Sequence, residues 1–156
     1  MVIAFDGSPA ARQAVTAAGN LLAPRQAIVV TVWEEGLAYA PTVAATDMGP
    51  MLPSIDPEAA HEVDVSLHAQ AERLATEGAQ LASSVGLDAA PLAASDEHSV
   101  AETIVDLARR QNAAAIVIGS RGLTGLRARL EGSASNGVVK RASCPVIVVH
   151  EAEHHD

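Results

Sequence analysis

Two rhythms of apolar residues alternate along the chain. Four short runs, Val2 to Phe5, Ile28 to Trp33, Ala113 to Ile118 and Val146 to Val149, carry almost no polar interruption. They read as strands buried on both faces. Between them the apolar positions recur at helical spacing: Ala11, Ala14, Val15, Ala18 and Leu22, and later Val100, Ile104, Leu107 and Ala108. In a longer series Ala60, Leu67, Leu74 and Leu81 repeat every seven residues, joined by Val63, Ala71 and Gly78. So few repeats fit a stripe docked on a sheet better than a coiled-coil seam.

The punctuation agrees. Asp6-Gly7-Ser8-Pro9 closes the first strand, with Ser8 as helix cap and Pro9 in the first helical position. Pro24 ends that helix, Asp56 caps the long one, which runs to near Gly86, and Ser99 to Glu102 has the form of a capping box. Leu87 to Ala94 is a weaker strand whose Pro91 predicts a sheet edge. A short helix is expected from Ser133 to Ala142. Residues 34–55 scatter Gly36, Pro41, Gly49, Pro50 and Pro53 with little periodicity and read as one long loop, either a lid or an insertion without fixed structure. Strands alternating with helices predict one domain over residues 1–150, followed by an acidic tail at 151–156. Its fold is an α/β, doubly wound, five-stranded parallel sheet with helices on both faces, Rossmann-like. Such sheets bind ligands beyond the carboxyl ends of the strands, where strand order reverses. Asp6 and Gly119 both end strands, so both face one crevice if those strands are neighbours.

Charge narrows the ligand. The 156-residue chain has a formal net charge of −9, which disfavours nucleic acid. Residues 119–141 nevertheless carry Arg121, Arg127, Arg129, Lys140 and Arg141 against Glu131, a local +4 that leaves −13 for the rest. A positive island on an acidic chain suits a small polyanion; a solvated basic helix face is the plainer alternative. The single cysteine, Cys144, is expected as a buried structural thiol. The apolar opening stops at Asp6 without a basic leader, and no run is long enough to span a bilayer. A soluble, cytoplasmic protein without a membrane partner is expected.

The stretch Gly119-Ser-Arg-Gly-Leu-Thr-Gly-Leu-Arg-Ala-Arg-Leu-Glu-Gly-Ser-Ala-Ser135 follows a strand and leads into a helix. Gly119, Gly122 and Gly132 allow close backbone approach, and Ser133 and Ser135 offer hydroxyls beside helix N-terminal N–H groups. Together they form a phosphate cradle. It is neither a Walker A loop nor the dinucleotide fingerprint.

The spacing Gly119-x2-Gly122-x9-Gly132-Ser133 resembles the nucleotide-binding signature of the universal stress protein family, in its ATP-binding subclass. Val2 to Ser8, Val29 to Val32 and Cys144 to Val149 resemble the family's opening, second and closing strands. The resemblance implies strand order 3-2-1-4-5 and ATP, with Mg2+, as ligand. It places Ala4, Phe5 and Asp6 by the ribose or phosphates and Val32 against the adenine through its backbone. Ile118, Gly119 and Gly122 would line the adenosine side of the phosphates, and Gly132, Ser133, Ala134 and Ser135 would hold the tail. Arg121 enters only through its charge. The resemblance also implies a homodimer paired through Val146, Ile147, Val148 and Val149. Two departures are that the chain starts directly on strand one, and that Asp96 to Ser99 lacks the usual Gly or Pro.

No nucleophile–base set is evident. His61 and His68 could share a helix face but lack partners for zinc. His98 reads as a surface residue, Glu34 and Glu35 as a loop charge pair, and His150, His154 and His155 belong to the tail. The resulting expectation is a nucleotide-dependent regulatory module with no catalytic residues and at most slow ATP hydrolysis or autophosphorylation. A scaffold binding AMP or a cyclic nucleotide is the alternative. A nucleotidyl transferase is disfavoured because Pro9 to Gln13 carries no His-x-x-His.

Overall fold

The computed structural model describes residues 1–23, 25–35, 44–46, 49–51, 57–96, 98–120 and 133–150. The elements in order are β1 (Val2–Ala4), α1 (Pro9–Leu22), β2 (Gln26–Glu34), β3 (Ala44–Thr46), β4 (Gly49–Met51), α2 (Pro57–Ser84), β5 (Asp88–Asp96), α3 (Val100–Arg110), β6 (Ile116–Gly119), α4 (Ser133–Arg141) and β7 (Val146–Val149). Five strands form one parallel sheet in the order β5-β2-β1-β6-β7. Counted without the β3–β4 pair, this is the expected order 3-2-1-4-5. The order reverses between β1 and β6.

Because β1, β2 and β6 are covered on both sides, successive residues feed two cores. Ile3, Phe5, Val29 and Val117 pack with α1 and α2, while Val2, Val30, Ile116 and Ile118 pack with α3 and α4. β5 lies at an edge, with Pro91 opposite Val29, so its missing N–H interrupts no interior ladder.

The structure revises three expectations. The segment 34–55 is not a single loop: β2 runs on to Glu34, and β3 pairs antiparallel with β4 as a separate two-stranded sheet. The leucines of α2 do not form its seam. Its buried residues are Ala60, Ala71, Ala75, Gly78, Ala79 and Ala82, with Leu67, Leu74 and Leu81 half-buried and Val63 exposed. The helix lies too close to the sheet for larger side chains, since a Cβ on Gly78 would come within 2.8 Å of Phe5 and Val29. Cys144 is half-buried rather than buried. Pro24, Asp56 and the tail 151–156 lie outside the described residues.

Candidate functional site

The crevice at the reversal is built by chains that part company. After Ala4, β1 turns away through Asp6-Gly7-Ser8 into α1. Gly7 has φ +80°, a left-handed conformation that costs glycine little. The Ser8 N–H donates to Asp6 Oδ1 at 3.0 Å, and the Ala11 N–H donates to Ser8 Oγ at 3.1 Å. The carboxylate and the helix cap are thus locked into one turn. On the other side Ser120 stays with β7, its N–H donating to the Val149 carbonyl at 2.8 Å. Val2 pairs with Ile116 in register, so Asp6 and Ser120 are equal steps beyond a matched pair as the gap opens. The expected meeting of Asp6 and Gly119 at one crevice therefore follows from the topology.

Gly119 is buried under α1. A Cβ there would lie 2.8 Å from the Ala10 carbonyl carbon and 3.0 Å from the Ala10 oxygen. Any other residue would push the first turn of α1 off the end of β6. That turn carries N–H groups and the positive end of the helix dipole, which favours an anion at this corner.

The β2 side of the crevice is set by alternation of the ladder. The Ile28 N–H donates to Met1 O at 2.9 Å and the Phe5 N–H donates to Val30 O at 2.8 Å, so even-numbered residues of β2 turn their backbone polar groups toward β1. Odd-numbered residues face β5, as the bond from the Asp88 N–H to Arg25 O shows. Val32 is the next even residue, beyond the last paired residue of β1. Its N–H and C=O therefore face the opening. The Phe5 carbonyl, which the ladder would next hand to the Val32 N–H, accepts the buried Thr31 hydroxyl at 2.7 Å.

The α2 side is walled by contacts the sequence reading did not foresee. Arg12 pairs with Glu77, and its guanidinium carbon lies 5.8 Å from the centre of the Phe5 ring. Trp33 meets His68 edge-on, with 5.3 Å between ring centres, and His68 lies 3.3 Å from Glu72. His61 and His98 are exposed, and among the described residues no group of three His, Cys, Asp or Glu is gathered to hold a metal.

Ala4 and Val32 are half-buried on the α3–α4 face, where Ile118 is buried, and Phe5 is buried on the α1–α2 face. Ser133 opens α4, Ala134 packs on the second core and Ser135 is buried. Arg121, Gly122 and Gly132 lie outside the described residues, as do Arg127, Arg129 and Glu131. Of the basic island, Arg141 is engaged elsewhere, with its Nε 3.6 Å from Glu102 of α3. Glu34 is not in a loop. It ends β2 level with Asp96 of β5, and burial, then the neighbouring Glu34 charge, raise the Asp96 carboxyl above its ordinary range against an opposing bond from the His98 N–H.

Two hollows, about 260 Å³ beside Asn112 and Cys144 and about 540 Å³ beside Arg25 and Asp88, lie at the opposite, amino-terminal end of the sheet. Helices end there with outward carbonyls, which repel anions. The carboxyl-end crevice is therefore the candidate site, although neither hollow marks it.

A sequence model described as the universal stress protein family matches residues 1–150. Universal stress protein YxiE of Bacillus subtilis is 28% identical over 160 residues, covering 96% of this chain and 97% of that protein. Among solved structures, the hypothetical protein MJ0577 superposes with a TM-score of 0.74 at 22% identity, over 97% of this chain and 95% of that one. A universal stress protein in complex with cAMP superposes at 0.62 and 22% identity, over 97% and 95% of the two chains. One from Archaeoglobus fulgidus in complex with dAMP superposes at 0.57 and 20% identity, over 95% and 94%. At these identities the structures establish a shared fold.

Proposed function

The chain belongs to the universal stress protein family, and on that premise we propose that it is an adenine-nucleotide-binding regulatory module whose site is the crevice between β1 and β6. The observation that carries the reading is the Val32 backbone. A donor and an acceptor side by side, aimed past the end of β1, match the N1 acceptor and 6-amino donor of adenine. The described half of the site fits a nucleoside. Asp6 stands at the opening for ribose hydroxyls or phosphate, and Gly119 lets the first turn of α1 approach. Related proteins solved with cAMP and dAMP support an adenine ligand.

The finer reading is ATP with Mg2+. Gly122, Gly132 and Ser133 would receive the phosphates, with Arg121 contributing charge. Bound Mg2+ would neutralise the phosphate oxygens and keep most of its water shell. The chain's own residues orient the nucleotide, and nothing in the described site is placed to activate a water. Titration calorimetry with ATP and magnesium should give saturable, near-stoichiometric heat. Mass spectrometry of the ligand released on denaturation should find an adenine nucleotide. No heat and no released nucleotide would overturn the proposal, and tighter binding of AMP or a cyclic nucleotide would replace ATP as the ligand.

A further inference from the structure

We propose that Thr31 is a positioning residue for base recognition, holding the Phe5 carbonyl so that the Val32 N–H remains available to the ligand. The inference rests on the adenine-binding reading and adds the device that makes it selective. In a parallel ladder the Val32 N–H would close onto the Phe5 carbonyl, continuing the bond from the Phe5 N–H to Val30 O. Here that carbonyl accepts the Thr31 hydroxyl at 2.7 Å, and although a carbonyl can accept twice, the Val32 N–H makes no bond to it; the hydroxyl holds it toward the α1–α2 face, out of line with the ladder. Among the described residues the Val32 N–H meets no other backbone acceptor outside the regular ladder.

Thr31 is 5% exposed and sits in an otherwise apolar run on the α1–α2 face of the sheet. Its side chain has nearly the shape of a valine, so packing alone does not call for the hydroxyl. A buried hydroxyl must find an acceptor, and the nearest useful one is the carbonyl that would otherwise capture Val32. The strand pairing of β1 and β2 thereby stops one rung early, and the unused rung becomes the reading edge for a base.

The chemistry that edge selects is specific. Adenine offers an acceptor at N1 and suits the free N–H. Hypoxanthine carries a proton at N1 and sets donor against donor, leaving both groups unsatisfied.

The test compares the full-length chain with Thr31→Val, which keeps the shape and loses the hydroxyl, and Thr31→Ser, which restores it. Titration with AMP and IMP should show Thr31→Val losing about tenfold in AMP affinity with IMP little changed, so that the AMP-to-IMP preference shrinks. Thr31→Ser should hold both values within about twofold of the original. Equal loss for the two nucleotides, or an unchanged preference, would overturn the proposal in favour of a structural role. A second readout needs no nucleotide. NMR scalar coupling across a hydrogen bond from the Val32 nitrogen to the Phe5 carbonyl carbon should be missing in the original and in Thr31→Ser, and present in Thr31→Val. Coupling already present in the original protein would refute the Thr31 inference directly. If no nucleotide binds but the coupling appears on substitution, Thr31 still ends the β1–β2 ladder, while the adenine reading and with it the role in base recognition fall.

Discussion

Asp96 shows how one carboxylate at the carboxyl end of the edge strand β5 is tuned. It closes β5 level with Glu34, with Glu102 of α3 also near, and its Oδ1 accepts the His98 N–H at 3.0 Å. Burial and the two like charges favour its neutral form, and the His98 N–H opposes them only in part. The sign of the pH effect follows. A carboxyl raised in the fold binds its proton more tightly than in the unfolded chain, so stability is lost as pH rises from the ordinary 3.8 through the higher folded value. Asp96→Asn keeps an oxygen for the His98 N–H and removes the charge. We expect it to raise the melting temperature by about 1–2 °C at pH 7, the small size reflecting a half-exposed group, and to leave it unchanged near pH 4. Calorimetric melts across that range check this; a gain that persists at pH 4 would assign the effect to something other than the charge.

At the scale of elements, α2 decides how tightly the crevice wall sits on the sheet. Its long face of small residues lets Phe5 and Val29 rise to within 2.8 Å of where a Gly78 Cβ would stand. Gly78→Ala should therefore destabilise the protein by about 1–2 kcal/mol in urea unfolding. Helix propensity would gain about 1 kcal/mol from the change, but overpacking against two core side chains exceeds it. A stabilised variant would mean that α2 can shift outward at little cost. The seven-residue leucine spacing announced α2 and its length, yet it pointed to the wrong seam, because periodicity marks which residues are apolar and not how close the helix lies. The strands and the turn Asp6-Gly7-Ser8 were legible, since buried strands and caps have local signals, whereas the strand order came only with the family resemblance, because pairing between distant segments leaves no local mark. The β3–β4 pair was hidden by Gly49 and Pro50, which read as loop residues but sit in a strand of a two-stranded sheet. Thr31 gave no warning: a lone hydroxyl in an apolar run looks like ordinary strand filler until its acceptor is seen.

For the whole molecule, the two edges of the sheet differ in how they are protected. The β5 edge defends itself with Pro91 inside the strand and with Asp88 and Asp96 at its ends. The β7 edge has none of these. Among the described residues no strand pairs with the outer side of Val146, Ile147, Val148 and Val149, all four are half-buried, and Val139 on the neighbouring α4 is 53% exposed. Four apolar residues on a bare edge favour antiparallel pairing with a second copy, which would complete the hydrogen bonds of both strands and cover the valines together. Light scattering on the intact protein should then give about twice the 16.0 kDa of one chain. Val148→Lys places a charge on that edge and should move the mass toward a single chain, more completely at low concentration. Because Val148 packs partly on the α3–α4 core, the melting temperature must be followed in parallel. A folded monomer supports edge pairing. A dimer that survives the lysine while the fold stays intact would place the interface elsewhere, with the exposed Val63 and Val65 of α2 as the next surface to test.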